Sequence, residues 1–293
     1  MSLLRSMQEH VRPQRVRNRA QRPAAAPALS EGYITRMVEE ADAQPDSSRV
    51  REGYIHVSSL LSFCPRLYRL AAVDDIPIVN LPRAGDRIVW ALGRAAEKHV
   101  RDAVLAHVGL GNVYGVWRCN CGMVAYEGLH RELRCTHCAT PANNFGELPV
   151  FDHELRISGS PDIQLHDAGS RRIVEIKSIN KREFEELERP KPDHVFQASF
   201  YVDLLRVMGE PVHEELAIFY VCKDYTFRSP YREFHVGAGD MAMQIAAAKA
   251  SVAQLRACEM GGALPPKLPV CSSAATPTAR KCVACASCFG RRN

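Results

Sequence analysis

The sequence lacks any long hydrophobic run, since no apolar stretch approaches the ~20 residues that a membrane-spanning helix requires. Its first ten residues, MSLLRSMQEH, also lack the apolar segment of about 7–15 residues that is typical of a secretory signal. We therefore expect neither an integral membrane protein nor a conventionally exported one. The predicted location is the cytoplasm.

Lysine is scarce, with 8 residues against 30 arginines, and acidic residues are almost absent from positions 1–30, which hold six arginines and one glutamate. The net charge of +5 therefore resides in this segment, and the rest of the chain is neutral. These arginines could neutralise nucleic-acid phosphates, or they could reflect a general preference for arginine. Because residues 1–52 show little apolar periodicity, we expect a disordered basic arm there and a folded domain over 53–293.

Cysteine, in contrast, is abundant, with eleven residues in the chain. In a reducing compartment, closely spaced thiols are more typical of metal sites than of a disulfide framework. The cysteines are unevenly distributed, with one group in the middle of the chain and another near its end. Cys222 and Cys258 lie alone on predicted apolar elements, and we expect them to be buried thiols without a chemical role.

Helical and strand patterns are mixed along the folded part of the chain. Helices are predicted near residue 64 and over 86–108, 193–208 and 240–260, and strands over 154–157, 162–166, 172–177 and 215–222. In the second helix, His99 shares an apolar stripe with Ile88, Leu92, Ala96, Ala103 and Val104. The order of elements predicts a mixed α/β fold with a central mixed sheet flanked by helices.

The strand over 172–177 carries the most informative residues. Side chains alternate along a strand, so Glu175 and Lys177 share one face, expected to be exposed, while Val174 and Ile176 point into a core. If the preceding strand pairs with it, Asp162 lies beside Glu175. Two adjacent carboxylates favour Mg²⁺ or Mn²⁺ between them, and such an ion beside a lysine suits phosphodiester hydrolysis. Taken alone, Glu-x-Lys is also common as a simple ion pair.

The surrounding motif resembles that of a known family. Pro161-Asp162, a turn, and Glu175-Ile176-Lys177 match the pattern of the PD-(D/E)XK nuclease superfamily. The RecB-like branch of that superfamily also has a Gly-x-x-x-x-x-His helix before these strands and a Gln-x-x-x-Tyr helix after them. The sequence has both, and the matching residues are Gly93, His99, Gln197 and Tyr201. By themselves these would be a core histidine and the polar edge of an amphipathic helix.

The resemblance implies roles for these residues. His99, Asp162, Glu175 and the backbone carbonyl of Ile176 would hold the Mg²⁺ or Mn²⁺ ion. Lys177 would activate water, and Gln197 and Tyr201 would position Lys177 and the DNA backbone. A contribution from Glu154 stays open.

Cysteines near the chain end form the pattern Cys282-x-x-Cys285-x-x-Cys288 within a cysteine-rich tail over 264–293. Three such thiols favour a fourth ligand from elsewhere, and Cys64 is the natural choice. The arrangement resembles that of iron–sulfur RecB-like exonucleases of the CRISPR-adaptation type and their phage relatives. This resemblance implies a [4Fe–4S] cluster that joins the two ends of the domain, with Cys271 as a rival ligand. A structural zinc site in the same residues is the alternative.

The central cysteines occur as Cys119-x-Cys121 and Cys135-x-x-Cys138 within a segment, 117–140, that has few apolar residues. They resemble the two knuckles of a zinc ribbon inserted into the domain, and His130 or His137 could replace one ligand. Such an insert could clamp DNA or could be a loop held by its metal.

The leading hypothesis is a metal-dependent DNA exonuclease acting on single-stranded or end-bearing DNA, more readily 5′→3′. It would serve recombination, replication or CRISPR spacer processing and would have protein partners from those pathways. The alternatives are a non-catalytic DNA-binding adaptor and a structure-specific endonuclease. The sequence indicates no oligomeric state.

Overall fold

The computed structural model describes residues 53–76, 84–224, 226–261 and 263–290, all within residues 42–293, one of two units of the chain. The predicted basic arm, residues 1–52, lies outside the described residues. Among the described helices, none is long and apolar enough to cross a membrane.

The described part contains seven α-helices and ten strands. The helices are α1 (Pro65–Val73), α2 (Ala84–Val108), α3 (Lys181–Glu185), α4 (Pro192–Val207), α5 (Ala242–Glu259), α6 (Pro277–Arg280) and α7 (Cys285–Phe289). The strands are β1 (Ile55–His56), β2 (Val113–Arg118), β3 (Val124–Leu129), β4 (Asn144–Gly146), β5 (Val150–Asp152), β6 (Ile157–Gly159), β7 (Ile163–Asp167), β8 (Ser170–Ile179), β9 (Glu215–Cys222) and β10 (Tyr231–Gly237).

A seven-stranded sheet forms the centre, in the order β10-β9-β8-β7-β2-β3, with β4 also paired to β2. Strands β8 and β9 are parallel, with α3 and α4 between them along the chain, and the other pairs are antiparallel. A small second sheet has the order β1-β6-β5. The fold is therefore mixed α/β with a mixed sheet, as the sequence predicts.

Helices cover both faces of the central sheet. On one face α4 and α5 enclose a core that includes Ile173 and Ile179 of β8, and on the other α2 packs over Ile176. Alternate residues of β8 thus enter two different cores, since successive side chains of a strand point to opposite faces.

Three predictions about local structure differ from the fold. The predicted strand over 154–157 is mostly a turn, in which Arg156 has φ 54°, and β6 begins only at Ile157. The exposed or half-buried strand β10 was missed because it has no apolar run. The stripe predicted on α2 is confirmed only in part, because Ala96 and Val104 pack against the core whereas Ile88 and Leu92 are 60% and 57% exposed.

The predicted insert over 117–140 is continuous with the central sheet. Strand β2 starts four residues before it, at Val113, and pairs with β7 as well as with β3. Trp117 of β2 is completely buried, and its indole Nε1 donates to the Gly128 carbonyl at 2.9 Å. The cysteine-bearing segment is therefore an extension of the sheet rather than a separate module.

Candidate functional site

Strand β8 directs Glu175 and Lys177 towards α4. Glu175 is only 2% exposed, and Lys177 Nζ donates to its Oε1 at 2.6 Å. The two residues share a face, as the alternation predicts, but this face is not the exposed edge expected from the sequence. Helix α4 packs over this face, so that Glu175 is buried and Lys177 is partly buried.

Asp162 is brought to the same place by the β7–β8 hairpin. Its tight turn has positive φ at Ala168 and Gly169 and sets Ile163 opposite Val174. Asp162, one residue before β7, then reaches across so that its Oδ2 accepts a hydrogen bond from the Ile176 amide at 2.6 Å. The contact is to the amide of Ile176, and the predicted role of its carbonyl stays a prediction.

The second carboxylate oxygen of Glu175, Oε2, is buried and has no hydrogen-bond partner among the described residues. A buried carboxylate oxygen without a partner is costly, because its lost hydration is not replaced. Asp162 is close enough to interact electrostatically with Glu175. An unpartnered oxygen beside a second carboxylate fits a hard divalent cation, for which oxygen ligands are preferred.

The carboxylates and Lys177 perturb one another. Burial and the charge of Glu175 raise the pKa of Asp162 well above its usual range. Burial lowers the pKa of Lys177, but the negative charges of Glu175 and Asp162 outweigh it, so the pKa is raised overall. In this arrangement Lys177 is an ammonium group, a donor of protons and hydrogen bonds.

Helix α4 supplies the next members of a hydrogen-bond chain. Lys177 Nζ donates to Gln197 Oε1 at 3.1 Å, and Gln197 Nε2 donates to the Tyr201 hydroxyl at 2.7 Å. Gln197 and Tyr201 are four residues apart and so lie on one helix face. Burial raises the pKa of Tyr201 well above its usual range, and its phenol therefore keeps its proton. Gly159 leaves room for the tyrosine ring, since a Cβ there would collide with it.

His194, one turn before Gln197, belongs to the same neighbourhood. Its Nδ1 lies 2.8 Å from the Tyr220 hydroxyl, which also accepts from the Lys191 amide. Burial, then the positive charges of Lys177 and Lys191, lower the pKa of His194 to about 4. The imidazole is therefore neutral at neutral pH.

Two further carboxylates lie near the site and were missed in the sequence. Glu147 precedes β5, pairs with Arg101 of α2 at 2.8 Å and interacts electrostatically with Glu175. Burial raises the pKa of Glu147. Glu97 of α2 interacts with Lys177 and Glu147. Neither Glu147 nor Glu97 belongs to a sequence motif that would have identified it as a site residue.

His99 is not brought to these carboxylates. Helix α2 touches β8 at Gly93, where a Cβ would lie 2.9 Å from Ser178 Oγ, and Glu97 follows one turn later. His99, two residues further and about 200° around the helix, is exposed. It lines a hollow of about 380 Å³ with His107, Phe219 and Tyr231 among others. Its predicted role as a metal ligand stays a prediction.

Glu154 is exposed in the turn before β6, and no described hydrogen bond or ion pair joins it to the site. The buried carboxylate nearby is Asp152. Its Oδ1 accepts from the Leu155 amide at 2.9 Å, and its Oδ2 lies 3.5 Å from Lys249 Nζ, which makes it part of the turn's structure.

The four central cysteines converge. The sulfur atoms of Cys119, Cys121, Cys135 and Cys138 all lie within 4.8 Å of one another and could hold a metal ion. Among His, Cys, Asp and Glu of the described residues, this is the one group of three or more with such spacing. His130 and His137 are not part of it.

Hydrogen bonds shape the acidity of these thiols. Cys138 Sγ lies 3.0 Å from Thr140 Oγ1, which lowers the pKa of the Cys138 thiol to about 6. The Cys119 sulfur, 2.8 Å away, raises the pKa of Cys121 to about 12. Protons are therefore still held within the group and would be released when a metal ion binds.

The remaining cysteines that were predicted as metal ligands lie together at a second site. Cys64, Cys271, Cys282, Cys285 and Cys288 all line one small cavity of about 30 Å³ where α1 meets the end of the chain. Burial is the largest cause that raises the pKa of Cys64 and of Cys271, and neighbouring cysteines add to it. No three of the five sulfurs approach one another as closely as the central group.

Cys64 also begins α1. Its sulfur accepts from the Leu67 amide at 3.4 Å, as an N-cap side chain does, and Pro65 occupies the first helical position. Cys222 and Cys258 are both buried in β9 and α5, as predicted for thiols outside the metal groups.

No family model and no curated protein sequence matches the chain. Among solved structures, the crystal structure of an alkaline exonuclease, LHK-Exo from Laribacter hongkongensis, is similar with a TM-score of 0.37 and 13% identity. LHK-Exo in complex with dAMP is similar with a TM-score of 0.37 and 14% identity. Each match covers 77% of this chain and 97% of the other.

Proposed function

We propose that the protein is a divalent-cation-dependent deoxyribonuclease of the PD-(D/E)XK superfamily, RecB-like branch. The observation that carries the proposal is the buried, unpartnered Oε2 of Glu175 beside Asp162, with Lys177 hydrogen-bonded to the other oxygen of Glu175. A purely structural ion pair would not need a second carboxylate at this place.

The cation would be held by Asp162, Glu175 and the Ile176 carbonyl. When bound, Mg²⁺ or Mn²⁺ would polarise the scissile phosphate and lower the pKa of a water ligand. A role for His99 as a further ligand requires its imidazole to leave the hollow beside Phe219. Glu147, which faces the same carboxylates, adds negative charge that favours a cation.

Lys177 would act through its positive charge. Its raised pKa keeps Nζ protonated, so it would donate a hydrogen bond to the attacking water or to a phosphate oxygen rather than remove a proton. Gln197 accepts from Nζ and is itself fixed by Tyr201, so this pair would hold the ammonium in place.

We further propose an exonuclease that degrades single-stranded or end-bearing DNA, more readily 5′→3′, in recombination, replication or spacer processing. The support is the Gln197-x-x-x-Tyr201 helix together with the cysteines that join the domain's two ends. Protein partners from those pathways are part of this proposal.

The two cysteine groups would hold different metals. A tetrahedral zinc ion with bonds of about 2.3 Å places its sulfurs about 3.8 Å apart, and the central group, within 4.8 Å, fits that spacing. The cysteines that line the terminal cavity would hold a [4Fe–4S] cluster through Cys64, Cys282, Cys285 and Cys288. Cys271 is the alternative to one of them.

The function is tested with labelled linear and circular DNA, single- and double-stranded, in Mn²⁺ or Mg²⁺. Wild type should degrade linear DNA from its ends, and Lys177→Ala should not. Lys98→Ala is the matched control because Lys98 is exposed and pairs with Asp102 on the surface of α2. Cutting of closed circles would indicate an endonuclease. DNA binding without cleavage by wild type would indicate an adaptor.

A further inference from the structure

The four-thiol group is joined to the candidate active site through β4. The chain runs from Cys138 through the hairpin loop into β4 and reaches Glu147 nine residues later. Two backbone hydrogen bonds join the start of this stretch to the residues that precede Cys138. Cys135 N donates to the Thr140 carbonyl at 2.9 Å, and Ala142 N donates to the Leu133 carbonyl at 3.0 Å. The start of the stretch is thus fixed by the second cysteine knuckle.

Strand β4 then packs closely on β2. Phe145 pairs with Trp117 in register, and their ring centroids are 5.7 Å apart. A Cβ on Gly115 would lie 2.9 Å from the Phe145 ring, and a Cβ on Gly146 would collide with Arg118. The two glycines permit this close approach, so a displacement of β4 would disturb the Phe145–Trp117 contact.

Glu147 directly follows β4 and lies close enough to Glu175 to interact with it electrostatically. Its carboxylate is held by Arg101, whose guanidinium also lies 5.6 Å from the centre of the Phe145 ring. The next residue, Leu148, accepts through its carbonyl from Gln164 Nε2 at 2.6 Å. Gln164 lies in β7, two residues after Asp162, so the segment that follows β4 is joined to β7 at this level.

We propose that the four thiols, when they hold zinc, fix β4 and Glu147 and thereby set the affinity of the candidate active site for its divalent cation. Without zinc, the knuckle that anchors the start of β4 has few apolar residues to hold it and would loosen. Glu147 would then contribute less negative charge beside Asp162 and Glu175. The proposal rests on the proposed function, since it presupposes a cation at those carboxylates.

The experiment measures Mn²⁺ binding to the full protein by electron paramagnetic resonance and zinc content by elemental analysis. Wild type should contain zinc and bind Mn²⁺. Cys138→Ser should lose zinc and bind Mn²⁺ about 10-fold more weakly, the size expected for a residue that positions a ligand. Glu147→Gln should keep its zinc and should bind Mn²⁺ more weakly by a similar factor. The double variant Cys138→Ser/Glu147→Gln should bind Mn²⁺ no more weakly than Glu147→Gln alone. Cys138→His, which can still bind zinc, should restore both properties.

A second variant leaves every thiol in place. Gly115→Ala should keep its zinc but displace Phe145 and weaken Mn²⁺ binding, whereas Gly111→Ala, whose Cβ would meet nothing within 4 Å, should bind as wild type does. The inference is overturned if zinc-free Cys138→Ser binds Mn²⁺ as tightly as wild type, or if the losses multiply in the double variant. If wild type binds no Mn²⁺, or Asp162→Asn binds it unchanged, the proposed function itself is wrong.

Discussion

The backbone amide of Ile176 donates a 2.6 Å hydrogen bond to Asp162 Oδ2, which ties the β7–β8 hairpin together beside Glu175. This contact satisfies one oxygen of Asp162 within the protein, whereas Oε2 of Glu175 has no hydrogen-bond partner in the described part of the chain. The two carboxylates therefore differ. Asp162 is oriented by the fold, and the oxygen of Glu175 that lacks a partner there is the one proposed to bind the cation.

Glu175→Gln should abolish stabilisation by Mn²⁺. A ligand at 100 times its Kd stabilises a protein by about 2.7 kcal/mol, which corresponds to roughly 5–10 °C in Tm for a domain of this size. Thermal melts with and without Mn²⁺ would show this shift for wild type and none for Glu175→Gln. Glu154→Gln, in an exposed turn, should keep the full shift. An equal shift in both variants would place the cation elsewhere.

Gly159→Ala should disturb Tyr201 without altering a polar group. The added Cβ collides with the tyrosine ring in a well-packed core, at a cost of roughly 1–3 kcal/mol of unfolding free energy. Displacement of Tyr201 releases Gln197 and then Lys177, so nuclease activity should fall. Urea unfolding and DNA degradation measure the two effects. An unchanged activity in a destabilised variant would remove Tyr201 from the positioning of Lys177.

The lowered pKa of His194 should make the folded protein less stable in acid. Its pKa is about 4 in the folded protein and 6.5 in the unfolded chain, so between these values the unfolded state binds more protons. The stabilisation is fully present above pH 6.5 and is lost as the pH falls towards 4. At 1.36 kcal/mol per pKa unit, with allowance for partial exposure, the loss is about 2 kcal/mol. Urea titrations across this range should show a difference between wild type and His194→Gln that shrinks with falling pH. A constant difference would contradict the assigned pKa.

Cys64→Ser separates the N-cap role of Cys64 from its proposed role as a cluster ligand. Serine is a good N-cap and keeps an acceptor for the Leu67 amide, so α1 should still form. The thiolate is lost, and an anaerobically purified variant should lack the broad visible absorbance of an iron–sulfur cluster. Cys258→Ala removes a buried thiol outside the cavity and should keep the visible absorbance of the wild type, which gives the protein a brown colour. A colourless wild type that contains only zinc would contradict the cluster.

The sequence predicted the geometry of the β7–β8 hairpin well because that geometry is local. Alternation along β8 places Glu175 with Lys177, and a two-residue turn sets the register that brings Asp162 across. The i, i+4 spacing likewise places Gln197 with Tyr201. Each of these relationships depends on residues close together in the chain.

What the sequence did not predict depends on distant packing. The burial of Glu175 follows from the position of α4, and Glu147 reaches the site only because β4 pairs with β2. The face of α2 that meets the core was predicted only in part. Ala96 and Val104 of the predicted stripe pack against the core, but Ile88, Leu92 and His99 are exposed.

The cavity lined by Cys64 and the terminal cysteines brings together residues more than 200 positions apart along the chain. A cofactor bound there would act as a cross-link that restricts the unfolded chain, and closing a loop of this length contributes on the order of 5 kcal/mol in the chain-entropy model. Such a distant contact is also slow to form during folding, because loop-closure entropy opposes it until the intervening elements are in place. Insertion of the cofactor would therefore be a late step in maturation, after the sheet and its covering helices have formed.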